Sequence, residues 1–310
     1  MNVTALAGGV GAGKFLRGLV RAVPAEHVTV IVNTGDDLVV NGLRVSPDLD
    51  SVTYWLAGVA DRERGWGRDG ETWRALEELR RLDAEAAWFA LGDLDLASHQ
   101  LRTRLLAEGR TLSEATEAVR RGYGVRTRLL PMSDDPVTTR IETADGPVLD
   151  FQDYWVRRGA RDAVAGVSYD GAANARPAPG AIEALAGADA VVICPSNPVA
   201  SIGPILAIPG FREALETRAG TVAGVSPIVG GAPLRGMADR LMPAAGLEVS
   251  AAGAARAYAG LLGRWVIDEA DRALEPAIAA TGLRVAVTDT IMVDDAAAER
   301  VARAALDLAS

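Results

Sequence analysis

The sequence predicts an α/β fold: a Rossmann-like, mostly parallel sheet with helices on both faces and a β-rich insertion. Three observations carry this expectation. Short β-branched, apolar runs alternate with helix-length stretches along most of the 310 residues. That alternation yields parallel strands whose connecting helices cover both faces of the sheet. A glycine-rich segment at residues 8–14 follows the first β-like run and opens a helical stretch. Between residues 126 and 169 the pattern changes to strand-like runs joined through Asp145-Gly146, a favoured hairpin turn pair. The expected organisation is a nucleotide-binding core of residues 1–125 and 170–310, with an insertion or subdomain at 126–169.

The elements follow in order. Residues 3–7 read as the first strand and residues 14–22 as the helix after the glycine loop. A second β-rich run, 28–32, ends at Asn33-Thr34-Gly35-Asp36-Asp37. Helices are expected near 51–60 and 72–82, a short strand at 88–91, and helices at 96–108 and 112–122. The hairpin pairs 137–143 with 148–151. Alternation resumes with strands at 188–194, 221–225, 265–267 and 285–287, and ends in a helix over 296–308. Sheets of this kind bind ligands beyond the carboxyl ends of their strands, where the strand order reverses.

Composition narrows the chemistry. Apolar residues make up 49% and charged residues 24%, the balance of a folded domain rather than a disordered chain. No apolar run approaches the roughly 18 residues of a membrane helix. The net charge of -9 argues against non-specific nucleic-acid binding, which depends on basic surface. With one cysteine, Cys194, the chain forms no internal disulfide and no cysteine zinc site. Two histidines far apart in sequence leave a hard cation held by oxygen as the expected metal. The N-terminus has no basic segment before an apolar stretch, so a cytoplasmic protein is expected.

Six loops carry the candidate chemistry. Gly8, Gly9, Gly11 and Gly13 precede Lys14. Glycines let backbone amides approach a phosphate, and a helix N-terminus favours an anion. The spacing fits G-x-x-x-x-G-K, but Phe15 replaces the Ser or Thr that would hold magnesium, and a plain strand-to-helix turn is the alternative reading. Asn33, Asp36 and Asp37 follow the second β-run, and Ser46-Pro47-Asp48-Leu49-Asp50-Ser51 lies just beyond. Four carboxylates beside a phosphate loop would repel the ligand unless magnesium intervenes. Asp48 is expected to cap a helix and Asp50 to face the cleft. Pro195, Ser196, Asn197 and Ser201 form a stiff loop after a very apolar run, with Ser201 a candidate cap for the next helix, and Ser226-Pro227 follows another. Pro131-Met132-Ser133-Asp134-Asp135-Pro136 opens the β-rich segment. Gly92-Asp93-Leu94-Asp95, Ser98 and His99 are further candidates for the cleft, although His99 also suits a satisfied helix position. Cys194 reads as a small buried hydrophobe. The absence of a G-x-S-x-G elbow argues against serine hydrolysis.

In order and spacing these six motifs resemble the 2-phospho-L-lactate transferase family of deazaflavin coenzyme F420 biosynthesis, over nearly the whole chain. The resemblance implies a magnesium-dependent transferase with a Rossmann-like fold. Its substrates would be a guanosine diphospho-carboxylate donor and the deazaflavin Fo. It would move a phospho-lactyl or phosphoenolpyruvyl group to the ribityl 5′-hydroxyl and release GMP. It places Asp50 near Fo and the reacting phosphate, and the 8–13 and 195–201 loops at the nucleotide diphosphate. Magnesium on Asp37 or Asp50, together with Lys14, would stabilise the transferring phosphoryl group, with Asp50 orienting the hydroxyl or taking its proton. Trp55, Trp88 and His99 are the candidate walls for the flat acceptor ring. The family implies a homodimer. Ala90 stands where some members carry a basic residue. A nucleotide-sugar-binding regulator resembling gluconeogenesis factor is the alternative, and the Ser46–Asp50 and Pro131–Pro136 motifs speak against it.

Overall fold

The structure is a computed structural model that describes residues 1–309. The chain begins with β1 (Val3–Ala7), α1 (Gly9–Ala22) and β2 (Val28–Val32). A small hairpin follows, β3 (Leu38–Val40) and β4 (Leu43–Val45), then α2 (Pro47–Ala57), α3 (Arg74–Leu82), α4 (Asp95–Ala107) and α5 (Leu112–Gly122). Next come β5 (Arg128–Pro131), β6 (Thr138–Thr143), β7 (Val148–Asp150) and β8 (Val164–Asp170). The second half runs α6 (Ala181–Gly187), β9 (Ala190–Ile193), α7 (Gly203–Ala207), α8 (Phe211–Glu216) and β10 (Val222–Val225). The hairpin β11 (Ile228–Val229) and β12 (Ala232–Pro233) leads to α9 (Ala238–Ala244) and α10 (Ala251–Arg256). The chain closes with β13 (Arg264–Ile267), α11 (Glu275–Ala279), β14 (Arg284–Val287) and α12 (Asp295–Ala309).

Seven strands form one sheet in the order β14-β13-β10-β9-β1-β2-β5, and every pairing is parallel. Alternate residues serve opposite faces, as the strand period requires. Leu6, Ile31, Val191 and Ile193 pack into one core with Phe211, Leu241 and Trp265. Ala5, Ala7, Val30, Val32 and Val192 pack into a second core with Phe15, Leu16, Leu49 and Val301. Largely buried β-branched strands such as Val28-Thr29-Val30-Ile31-Val32, in which only Thr29 is part-exposed, suit a sheet covered on both sides. The chain winds outward from β1 through β2 to β5, then returns to β9 on the other side of β1. The order therefore reverses between β1 and β9, where the Gly8 and Pro195 loops emerge.

The stretch 126–169 divides between two sheets. Its first strand, β5, is the edge of the main sheet beside β2. β6 pairs antiparallel with β7 through the Asp145-Gly146 turn and with β8 on its other side. Two local expectations change. No strand forms over 88–91; Leu91 instead packs with Val40 and Val45 of the β3–β4 hairpin, and Phe89 lies against them. That hairpin turns at Asn41-Gly42, both at positive φ, a residue pair that favours such a turn. α2 starts at Pro47 rather than near 51, because proline suits the first helical turn. Among the described residues no helix is long and apolar enough to cross a membrane.

Candidate active site

A cavity of about 900 Å³ opens at the carboxyl ends of the central strands. Gly8 after β1, Asp36 after β2, Pro195 and Ser196 after β9, and Ser226 after β10 all line it. A sheet of this kind is expected to take its ligand at this place.

Glycines let the loops come together. Gly8 caps α1 without a side-chain bond of its own; Ser196 and Asp48 take the Gly8 and Gly9 amides, which leaves those of Val10 and Gly11 to a ligand. A Cβ at Gly8 would lie 2.6 Å from Asp48 Oδ2 and 2.7 Å from Ser201 Cβ. One at Gly11 would lie 2.4 Å from the Pro195 carbonyl oxygen. Gly9, at a φ of +74°, takes a backbone conformation that side chains disfavour. Ser196 joins the two loops, donating from Oγ to the Gly8 carbonyl at 2.8 Å and accepting from the Gly8 amide at 3.3 Å. Gly13 has a different role from the one expected. It is absent from the cavity wall and packs on Trp55, where a Cβ would lie 2.4 Å from Cδ1.

The acids are organised by Asn33. Its Nδ2 donates to Asp36 and Asp48, both at 2.9 Å, and its Oδ1 accepts from the Gly35 amide at 2.8 Å. Asp48 also accepts from the Gly9 amide at 2.7 Å. The expectation that Asp48 caps a helix is therefore corrected: it lies inside the first turn of α2 and its carboxylate binds the glycine loop. Asp36 receives Gln152 Nε2 at 3.1 Å, a partner from the β-rich segment that the sequence did not signal. Asp37 accepts from Ser46 Oγ at 2.6 Å, while its Oδ1 is buried without a partner. Burial pushes Asp37 up to about 8 and Asp48 up to about 6. Burial, then the charges of Asp48 and Asp37, raise Asp36 well above the usual carboxylate range.

Asp50 lines the cavity, but both its oxygens face Arg102, one of them 3.0 Å from Nη1. Arg102 is 1% exposed and pairs from within α4, a partner missed because nothing local links the two residues. His99, also in α4 and 1% exposed, lies 3.5 Å from Asp50 and 3.3 Å from Asp95. Tyr54 donates to Asp95 at 2.5 Å. The expected assignment of Asp50 as a free acid facing the cleft is thus corrected to a paired one.

The remaining candidates separate clearly. Lys14, Trp88, His99, Asn197, Ser201 and Ser226 line the cavity; Asn33, Asp37 and Ser46 stand behind its wall. Asn197, rather than Ser201, caps the following turn, accepting from the Val199 and Ala200 amides. Trp55 is corrected as an acceptor wall, because its Nε1 bonds Gly65 O and its ring lies beneath Lys14. Trp66, Trp155 and Phe151 line the cavity where Trp55 was expected. Cys194 is buried, which pushes its thiol up out of the reactive range.

Of the four carboxylates here only Asp50 is paired with an arginine, and one Asp37 oxygen lacks any donor. A hard cation suits that donor set. Among the described residues no three His, Cys, Asp or Glu side chains converge on one metal position.

The family model described as 2-phospho-L-lactate transferase CofD matches residues 3–305. The chain belongs to the 2-phospho-L-lactate transferase CofD family. It is a transferase of that type. Phosphoenolpyruvate transferase of Streptomyces griseus subsp. griseus is 46% identical over 313 residues, covering 100% of this chain and 98% of that protein. 2-Phospho-L-lactate transferase of Methanosarcina mazei is 42% identical over 285 residues, covering 92% of this chain and 93% of that one. A solved UPF0052 protein of Bacillus halodurans shares the fold at 16% identity and a TM-score of 0.65, with 98% of each chain covered.

Proposed function

We propose that the chain transfers a phosphoenolpyruvyl group from a guanosine diphospho-carboxylate donor to the ribityl 5′-hydroxyl of Fo, releasing GMP. The observation that carries this reading is the site at the β1–β9 switch point. Open helix amides, two loops locked through Ser196 and a carboxylate cluster meet there in one 900 Å³ cavity. Pockets of about 300–1,000 Å³ hold drug-sized ligands, so the volume supports a nucleotide donor beside a flat acceptor. The names of the Streptomyces relatives support enolpyruvyl as the carried group.

The hydroxyl oxygen attacks the phosphorus bearing the enolpyruvyl group, the bond to the bridging oxygen breaks, and GMP leaves with that oxygen. No protein nucleophile is needed, because phosphoryl transfer rests on positioning and charge neutralisation. The Val10 and Gly11 amides at the start of α1 bind the diphosphate. Asp37, whose Oδ1 has no donor, would hold magnesium from just behind the cavity wall, while Asp50 stays engaged by Arg102; the ion when bound supplies positive charge to the phosphate oxygens. Asp48 lines the cavity and its carboxyl is raised to about 6, so it takes the hydroxyl proton near neutral pH. Trp88 and His99 flank the acceptor. Two-fold dimers are the commonest assembly, and we infer one here; light scattering that returns one chain's mass overturns it.

The test is incubation with Fo, magnesium and each guanosine donor, with mass spectrometry of the deazaflavin. A product heavier by the phosphoenolpyruvyl group, together with GMP, is expected. Tight UDP-sugar binding without any GDP binding or turnover overturns the transfer reading.

A further inference from the structure

The cavity holds two cations that no carboxylate neutralises. Arg64 also lines it, but Asp61 pairs with Arg64 at 2.9 Å. Lys14 and Arg235 form no ion pair among the described residues, although the chain carries 41 acidic residues. Lys14 lies over the Trp55 ring at 5.8 Å. Arg235 donates only to backbone carbonyls, those of Glu63 at 2.9 Å and Arg64. Arg235 is exposed at the cavity; these bonds orient its guanidinium and leave it without a carboxylate partner.

The two cations are neighbours. A Cβ at Gly65 would meet Arg235 Nη1 at 2.8 Å and Val10 Cγ1 at 2.9 Å, so the Arg235 head group sits beside the glycine loop. Lys14 is one helical turn beyond Val10 on the same helix. Burial, then the charges of Arg235 and Arg62, hold Lys14 below its usual range. Arg62 is answered by Asp295 at 3.0 Å, and that carboxylate also takes Arg17 at 3.1 Å. The repulsion between Lys14 and Arg235 therefore stands until an anion arrives.

We infer that Lys14 and Arg235 form a subsite for the carboxylate of the transferred group. This rests on the donor proposed above. The donor's diphosphate already has the glycine-loop amides and the acid-held cation, and its remaining anionic group is the carboxylate. A fixed planar guanidinium beside an ammonium suits a planar carboxylate. Arg235, in the loop between β12 and α9, was not among the residues the motifs singled out.

Binding of GDP and of the diphospho-carboxylate donor is measured on wild type, Arg235→Gln and Arg235→Lys. Arg235→Gln is expected to weaken donor binding by about 10- to 100-fold, as loss of a charged hydrogen bond does, while GDP affinity and Tm stay near wild type. Arg235→Lys recovers part of the loss. On wild type, a donor analogue with the carboxylate converted to carboxamide is expected to bind no tighter than GDP, a readout independent of the variant's folding. Equal weakening of GDP and donor assigns the pair to the diphosphate and overturns the inference; so does a carboxamide that binds as tightly as the donor. If wild type releases no GMP from donor and Fo, the proposed function falls and takes the subsite with it. Turnover in wild type with donor affinity intact in Arg235→Gln removes the subsite alone.

Discussion

Asp48 and Asp50 stand two residues apart in the first turn of α2 and meet different partners. Asp48 binds the Gly9 amide and Asn33, whereas Asp50 faces Arg102. Asp50→Asn leaves Arg102 charged and buried without a counter-ion, a loss of about 3–5 kcal/mol. Urea denaturation is expected to show that loss, and Asp50→Asn/Arg102→Met to recover much of it without restoring turnover. Equal stability of wild type and Asp50→Asn overturns the pairing. Asp48→Asn keeps the shape and removes the proton acceptor, so turnover should fall by about 10²–10⁴-fold. Its amide also faces the donor Nδ2 of Asn33, which adds a stability loss of about 1–3 kcal/mol. Near-normal turnover in Asp48→Asn would return the proton to Asp50. Both acids were legible as candidates. Their roles were not, since each is decided by a donor 39 or 52 residues away in sequence.

Within the elements, the β1–α1 loop was readable because glycine spacing is a local property. The reasons for its glycines are not local. Gly11 meets the Pro195 carbonyl and Gly13 meets Trp55. Gly11→Ala drives a Cβ against a backbone oxygen that cannot rotate away, for about 1–3 kcal/mol of strain. GDP affinity and Tm are expected to fall together. Gly42→Ala, at a φ of +79° with nothing within 4 Å, serves as the contrast. It strains the β3–β4 turn by about 1–2 kcal/mol and leaves GDP affinity unchanged. A Gly11→Ala protein that binds GDP normally would show that the two loops need not touch. The strand expected at 88–91 failed because its apolar residues pack as a loop on the hairpin, and apolar character alone does not distinguish the two.

At the scale of the molecule the acid cluster links stability to pH. The folded carboxyls of Asp48 and Asp37 are raised to about 6 and about 8. A raised carboxyl means that the folded chain holds protons the unfolded chain has released. Its stabilising contribution is therefore full below about pH 4 and is lost as pH rises through the folded values. In chelator, Asp37→Asn should gain in Tm relative to wild type as the pH moves from 5 to 9, because the asparagine does not titrate. Magnesium should reduce that gain. A Tm difference that is flat across the range would show that Asp37 is not raised.

The sequence by itself determined the alternating architecture, the glycine loop, the acid-rich loops and the family they resemble. Each is written in neighbouring residues, where period, turn chemistry and motif spacing act. Only the tertiary structure decided that Asn33 bridges Asp36 and Asp48, that Gln152 reaches in from the β-rich segment, and that Arg102 answers Asp50. It also decided that Arg235 joins Lys14 at the cavity. Apart from Asn33 with Asp36, these are contacts between charged or polar groups far apart along the chain. A charge has no periodicity to announce its partner, and the pairing exists only once the parallel sheet has brought the strand ends to one edge.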